Sequence, residues 1–124
     1  MKVTFTVPGK PVGLNSAYKR AGTTKGRKGF YMTKAAVAFK EHIRARAMLA
    51  DRPAMAAIKA HGGPYFVEIE TYNCRHDADS PTKFILDALE GLYYENDRKV
   101  YGVIAHKNKD DLGPRVKITV GVIE

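Results

Sequence analysis

The sequence predicts an α+β fold: one domain over residues 1–124, a mixed four-stranded sheet with two main helices, in the order β-α-β-α-β-β. Three observations lead there. Three stretches alternate apolar and polar residues with a period of two, two stretches place apolar residues at helical spacing, and 124 residues provide one modest core.

The first strand is read from Val3, Phe5 and Val7 alternating with Lys2, Thr4 and Thr6, and Pro8, Gly9, Pro11 and Gly13 stop it. A long loop is expected to about Met32. Thr33 then caps a helix to about Ala50, with Ala36, Phe39, Ile43 and Ala47 on one face and Lys40 and Arg44 extending a basic surface on another. The stretch from Arg52-Pro53 to Gly63-Pro64 reads as a connection with an Ala-rich helical turn. A second strand covers Tyr65–Asn73, its Tyr65, Val67, Ile69 and Thr71 facing one way and Glu68 and Glu70 the other. Ser80-Pro81 offers a cap and first-turn pair for a helix to about Leu92. Strands follow at Lys99–Lys107 and Arg115–Ile123, separated by a polar, hairpin-like connection over Asn108–Pro114.

Charge divides unevenly along the chain. The total is 21 Lys+Arg against 13 Asp+Glu, a net +8. Residues 1–50 hold eleven of the bases and one acid, Glu41, for +10; residues 51–124 hold ten bases and twelve acids, for −2. Six bases (Lys19, Arg20, Lys25, Arg27, Lys28, Lys34) interleave with Gly22, Gly26 and Gly29. A glycine-rich loop so charged resists burial and suits a phosphate backbone, and it lacks the amphipathic period for lying on lipid. Neither a membrane span nor a signal peptide is expected, because no apolar run approaches the roughly 20 residues a span requires. A lone Cys74 excludes a disulfide framework within one chain and fits a cytoplasmic protein.

The second half carries the chemistry. Asp77 and Asp79 stand two apart where a strand hands over to a helix, which in extended backbone puts both carboxylates on one side. On a helix at about 100° per residue, Lys83, Asp87 and Glu90 share the polar face, opposite Phe84, Ile85, Ala88, Leu89 and Leu92. Leu86 is apolar on the polar side, as a subunit contact would be. Two readings stay open on spacing alone. Carboxylates so placed suit a hard divalent cation; equally, Asp near a helix start and a Lys–Asp pair one turn apart are common without one. Acids clustered within a basic chain favour the metal, because carboxylates repel a bound phosphate unless a cation intervenes.

The run Asp77-x-Asp79-x-x-x-Lys83-x-x-x-Asp87, with Asn96-Asp97 before a strand, resembles the RusA family of Holliday junction resolvases. The strand ending in Pro-Gly, then Pro11-x-x-x-Asn15-x-x-Tyr18 and a basic loop into Tyr31-x-Thr33, is similar to that family's N-terminal segment. The resemblance implies a homodimeric endodeoxyribonuclease that nicks four-way DNA junctions symmetrically in recombination and repair, often phage- or prophage-encoded. It implies Mg²⁺, with Mn²⁺ as a substitute, held by Asp77, Asp79 and Asp97, with Lys83 as a fourth catalytic group and Asp87 at the site's edge. Two departures stand out: Ser80-Pro81 follows the second Asp where Asn is common, and Asn96-Asp97 replaces a frequent pair of acids. DNA contacts are expected from Asn15, Lys19, Arg20, Lys25, Arg27, Lys28, Lys34 and Arg75.

Other residues weigh less. His42, His61 and His106 lack zinc spacing, His76 reads as structural, and Cys74 reads as packed. Tyr93, Tyr94 and Tyr101 offer base stacking, with core packing or an interface the safer reading; Glu68 and Glu70 read as a solvated face, Glu70 within reach of the site. A non-catalytic nucleic-acid-binding module and a Mg²⁺ nuclease or RNA-cleaving toxin without junction preference are the alternatives.

Overall fold

The computed structural model describes residues 1–10, 18–20, 30–75, 77–78 and 80–124, with the backbone alone described at 18–20 and 30–32. Strand β1 (Lys2–Pro8) buries Val3, Phe5 and Val7 as its alternation requires. Two short strands, β2 (Tyr18–Arg20) and β3 (Phe30–Met32), pair antiparallel within the segment expected to be all loop. Three-residue strands are too short to display a period, so alternation could not reveal them.

Helix α1 (Lys34–Ala50) begins where Thr33 Oγ1 accepts from Ala36 N at 3.2 Å, and it buries the four expected residues, Ala36, Phe39, Ile43 and Ala47. Helix α2 (Arg52–His61) stands where a connection was expected, so the described residues hold three helices where two main ones were expected. Its signals are terminal: Asp51 Oδ1 caps Ala54 N at 3.0 Å, and Gly62 closes it at φ 85°. Only Ile58 is buried, so the apolar stripe that identifies a helix is missing.

Strands β4 (Tyr65–Tyr72), β5 (Val100–Asn108) and β6 (Arg115–Val122) complete a sheet of order β1-β6-β4-β5. β6 runs antiparallel to both β1 and β4, whereas β4 and β5 run parallel. The β5–β6 connection is therefore no hairpin. It passes the end of β4 to the strand's other side, and Asn73 ties it there: its N–H donates to Asn108 O at 3.0 Å and its Nδ2 to Leu112 O at 2.7 Å.

Helix α3 (Thr82–Leu89) connects β4 to β5. It is shorter than the sequence suggests: Pro81 rather than Ser80 occupies the cap position, without a side-chain bond, and Gly91 turns the chain at φ 85° before Leu92. Leu86 is buried within the chain, not left for a subunit contact.

The core lies on one face of the sheet, where Tyr65, Val67, Ile69, Val116, Ile118 and Val120 meet the apolar sides of the helices. α1 packs on β1 and on α3, holding α3 from behind. Tyr93 and Tyr94 are fully buried, Tyr93 stacked on Phe5 at 6.5 Å and Tyr94 against Tyr65 at 5.7 Å, so neither offers a base-stacking surface. Tyr101, on edge strand β5, is 73% exposed. Glu70 lies on the sheet face away from the helices and pairs with Lys117 at 3.6 Å, which takes it away from the α3 acids. No helix among the described residues is long and apolar enough to cross a membrane.

Candidate active site

The polar side of α3 meets the 3₁₀ turn Asp97–Lys99 that leads into β5. Helical spacing puts Lys83 and Asp87 one turn apart, and Lys83 Nζ lies 3.1 Å from Asp87 Oδ1. The same ammonium bonds Asp97 Oδ2. Bonds to the two carboxylates hold Lys83 well above the usual lysine range, so it is fully charged at neutral pH. Asp87, Glu90 and Asp97 each bring a carboxylate oxygen to within 4.8 Å of the others. Three carboxylates and one ammonium sum to −2, concentrated at one end of a basic chain.

Each member is held from beneath. Asn96 Oδ1 accepts from Arg98 N at 2.9 Å, capping the turn that presents Asp97. The departure at Asn96 thus has a local role. Asp97 N donates to Glu90 Oε1 at 3.2 Å, which fixes the turn against the end of α3. Arg44 of α1 donates to Ala88 O at 2.9 Å and Glu90 O at 2.8 Å, satisfying carbonyls that α3 leaves open at its C-terminus. Lys59 Nζ adds a bond to Gly91 O at 3.1 Å, and the Tyr94 hydroxyl donates to Leu86 O at 2.8 Å. Arg44 was expected to widen the basic surface; it instead anchors the acidic helix, because its Nη1 reaches both carbonyls at a negative helix end.

The donor set fits a hard divalent cation. Carboxylate oxygens are its preferred ligands, and the three lie within 4.8 Å of one another, where bond lengths of about 2.1 Å put octahedral ligand atoms about 3–4 Å apart. All three members of that group are carboxylates.

Of the expected site residues, Lys83, Asp87 and Asp97 come together. Glu90 joins them unexpectedly; its place on the polar face of α3 was the available signal. Asp77 is exposed in the loop before α3, outside this group, and its carbonyl accepts from Ser80 N at 3.1 Å. Asp79 lies outside the described residues, as do His76, Asn15, Lys25, Arg27 and Lys28. Lys19 and Arg20 lie on β2, opposite Tyr31 and Phe30, with their side chains outside the description. Lys34 is exposed at the start of α1, and Arg75 is exposed just past β4. Burial pushes the Cys74 thiol up from its ordinary value, and Sγ donates to Tyr72 O at 3.2 Å, as suits a packed cysteine rather than a nucleophile.

Comparison with curated proteins returns no match. A family model described as endodeoxyribonuclease RusA matches residues 8–121, a span that takes in β4, β5, helices α1 to α3 and every carboxylate of the site. By that match across nearly its whole length, the chain belongs to the endodeoxyribonuclease RusA family.

Proposed function

We propose that the chain is a Mg²⁺-dependent, structure-selective endodeoxyribonuclease that resolves four-way DNA junctions by paired nicks, in recombination and repair. The observation that carries this reading is Lys83 set between Asp87 and Asp97 in a member of an endodeoxyribonuclease family. Asp97 and Asp87 at the turn and helix, with Asp77 and Asp79, which precede α3 in the sequence, are the residues we assign to the ion, and Glu90 steadies Asp97 from beneath. A divalent cation bound there would polarise a phosphoryl oxygen and lower the pKa of water.

The chain's own residues do the rest. Lys83 is a permanent cation aimed at the same space as the carboxylates, and it supports the charge that gathers on the phosphoryl oxygens as water adds to phosphorus and a P–O bond breaks. Anchoring by Arg44 and Asn96 keeps Asp87 and Asp97 from spreading under mutual repulsion. Basic residues of the N-terminal half hold the DNA. A homodimer follows from the substrate: a four-way junction has approximate two-fold symmetry, and a C2 dimer brings one site to each of two opposed strands.

The test is cleavage of a labelled four-way junction, a matched duplex and a matched RNA, with Mg²⁺ and with EDTA. Symmetric Mg²⁺-dependent nicks in the junction alone are expected. Equal cutting of duplex or RNA would replace this reading with a general nuclease, and binding without nicking would replace it with a non-catalytic module.

A further inference from the structure

At the carboxyl ends of the parallel strands β4 and β5 lies a second surface of opposite sign. A cleft of about 510 Å³ is lined by Asn73, Cys74, Arg75, Lys107, Asn108 and Lys109. Arg75, Lys107 and Lys109 are exposed, and none has an acidic partner among the described residues. A fourth cation approaches from another segment, since Lys10 and Lys107 both act electrostatically on the Cys74 thiol. Lys10 reaches this place because Gly9 N donates to Pro114 O at 2.9 Å, tying the end of β1 to the β5–β6 connection.

The floor of the cleft is tied by hydrogen bonds, and Asp110 beside it is already paired. Asn73 holds a left-handed conformation at φ 60°, with Nδ2 donating to Asp110 Oδ1 at 2.8 Å and Oδ1 accepting from Asp110 N at 3.0 Å. Asp110 is further paired with Arg115, at 3.1 Å and 2.5 Å, which holds its carboxyl far below the usual range. Its negative charge is cancelled locally, so the lysines and Arg75 keep theirs. Unpaired cations and amide side chains on a fixed backbone form a surface for phosphate oxygens, not for apolar groups.

We infer that this cleft seats the sugar-phosphate backbone of a DNA arm, with Lys107 and Lys109 as positioning residues; the inference rests on the junction-cutting reading above. β5 joins the two surfaces, running from the turn that presents Asp97 to Lys107. Its nine residues, with eight steps of about 3.3 Å between them, span roughly 26 Å, the length of about eight base pairs of an arm. The contact is to backbone, so it adds affinity without sequence preference.

The test uses the full chain and its single cysteine. Alkylation of Cys74 by iodoacetamide, a neutral reagent, is followed with and without a saturating four-way junction in Ca²⁺. DNA is expected to slow it several-fold. Lys107→Ala/Lys109→Ala, checked for unchanged thermal unfolding, is expected to bind the junction about tenfold more weakly and to lower the salt slope by about 2, equally for unrelated arm sequences. Wild-type affinity and salt slope in the double variant, or unprotected Cys74 in a protein that still nicks junctions, overturns the cleft and leaves the nuclease reading standing. Failure of the wild-type chain to bind any DNA overturns both.

Discussion

The two ends of the β4–α3–β5 unit differ in sign and in how they are built. Where α3 meets the turn before β5, Asp87, Glu90 and Asp97 converge around one lysine, and Arg44, Lys59 and Tyr94 brace the backbone beneath them. Where β4 and β5 end, Arg75, Lys107 and Lys109 surround an open cleft. Holding like charges together within a few ångströms requires buried anchors and a counter-ion. Presenting cations to a flexible polyanion requires only that nearby acids be neutralised. One connection thus supplies a fixed site for chemistry and a permissive surface for grip, which a +8 total conceals.

The strongest way to break this comparison is at the turn. Asp97→Asn keeps the shape of the side chain but removes the charge, and on the proposed reading it lowers single-turnover nicking on the order of 10²–10³-fold while junction affinity changes little. A gel-shift titration beside the cleavage assay separates the two. Equal losses in both would mean that Asp97 shapes the DNA surface rather than the chemistry.

Next in size is the anchor. Arg44→Ala withdraws two bonds from the C-terminal carbonyls of α3, and about 2 kcal/mol of stability should go with them in urea unfolding. Because those carbonyls belong to Ala88 and Glu90, between and at the acidic positions, nicking should also fall at a temperature where the variant is folded. Arg44→Lys, which keeps the charge on a compact ammonium, should lie between. A variant that loses stability yet nicks at the wild-type rate would show that the site tolerates movement of α3.

These anchors mark the limit of what the sequence discloses. Lys83 and Asp87 were legible because helical geometry fixes their relation within four residues, and β1, β4 and β6 were legible because each buries one face or more. Asp97 was placed by resemblance, since fourteen positions and a reversal of the chain separate it from Lys83. Arg44 was misread for the opposite reason. It sits on a basic stretch of an amphipathic helix, and nothing local tells that its partner is a set of carbonyls 44 and 46 residues away. α2 escaped because only Ile58 is buried, and the β5–β6 connection looked like a hairpin because short polar turns between strands usually are. Only the order of strands in space shows it crossing β4.

The smallest effect tests whether the anchored end is as dry as its packing implies. Burial pushes the Tyr93 hydroxyl from its ordinary 10.0 up to about 12, and Tyr94 further, where burial is joined by the negative charges of Glu90, Asp97 and Asp87. In the unfolded chain both protons leave near pH 10. Above that pH the native state binds more protons than the unfolded one, so stability is complete below pH 10 and falls as pH rises toward 12. The loss should approach about 1 kcal/mol per tyrosine between pH 10 and 11, measured as a shift in the urea midpoint at constant m. Phe replacements assign it. Tyr93→Phe removes a buried hydroxyl that has no partner among the described residues, so at neutral pH it should cost little and at alkaline pH protect. Tyr94→Phe should protect as well, but at neutral pH it gives up the bond to Leu86 O, about 1 kcal/mol. If instead the wild-type midpoint holds steady through pH 11, water already reaches these rings. The brace beneath the carboxylates would then be looser than the contrast between the two ends requires.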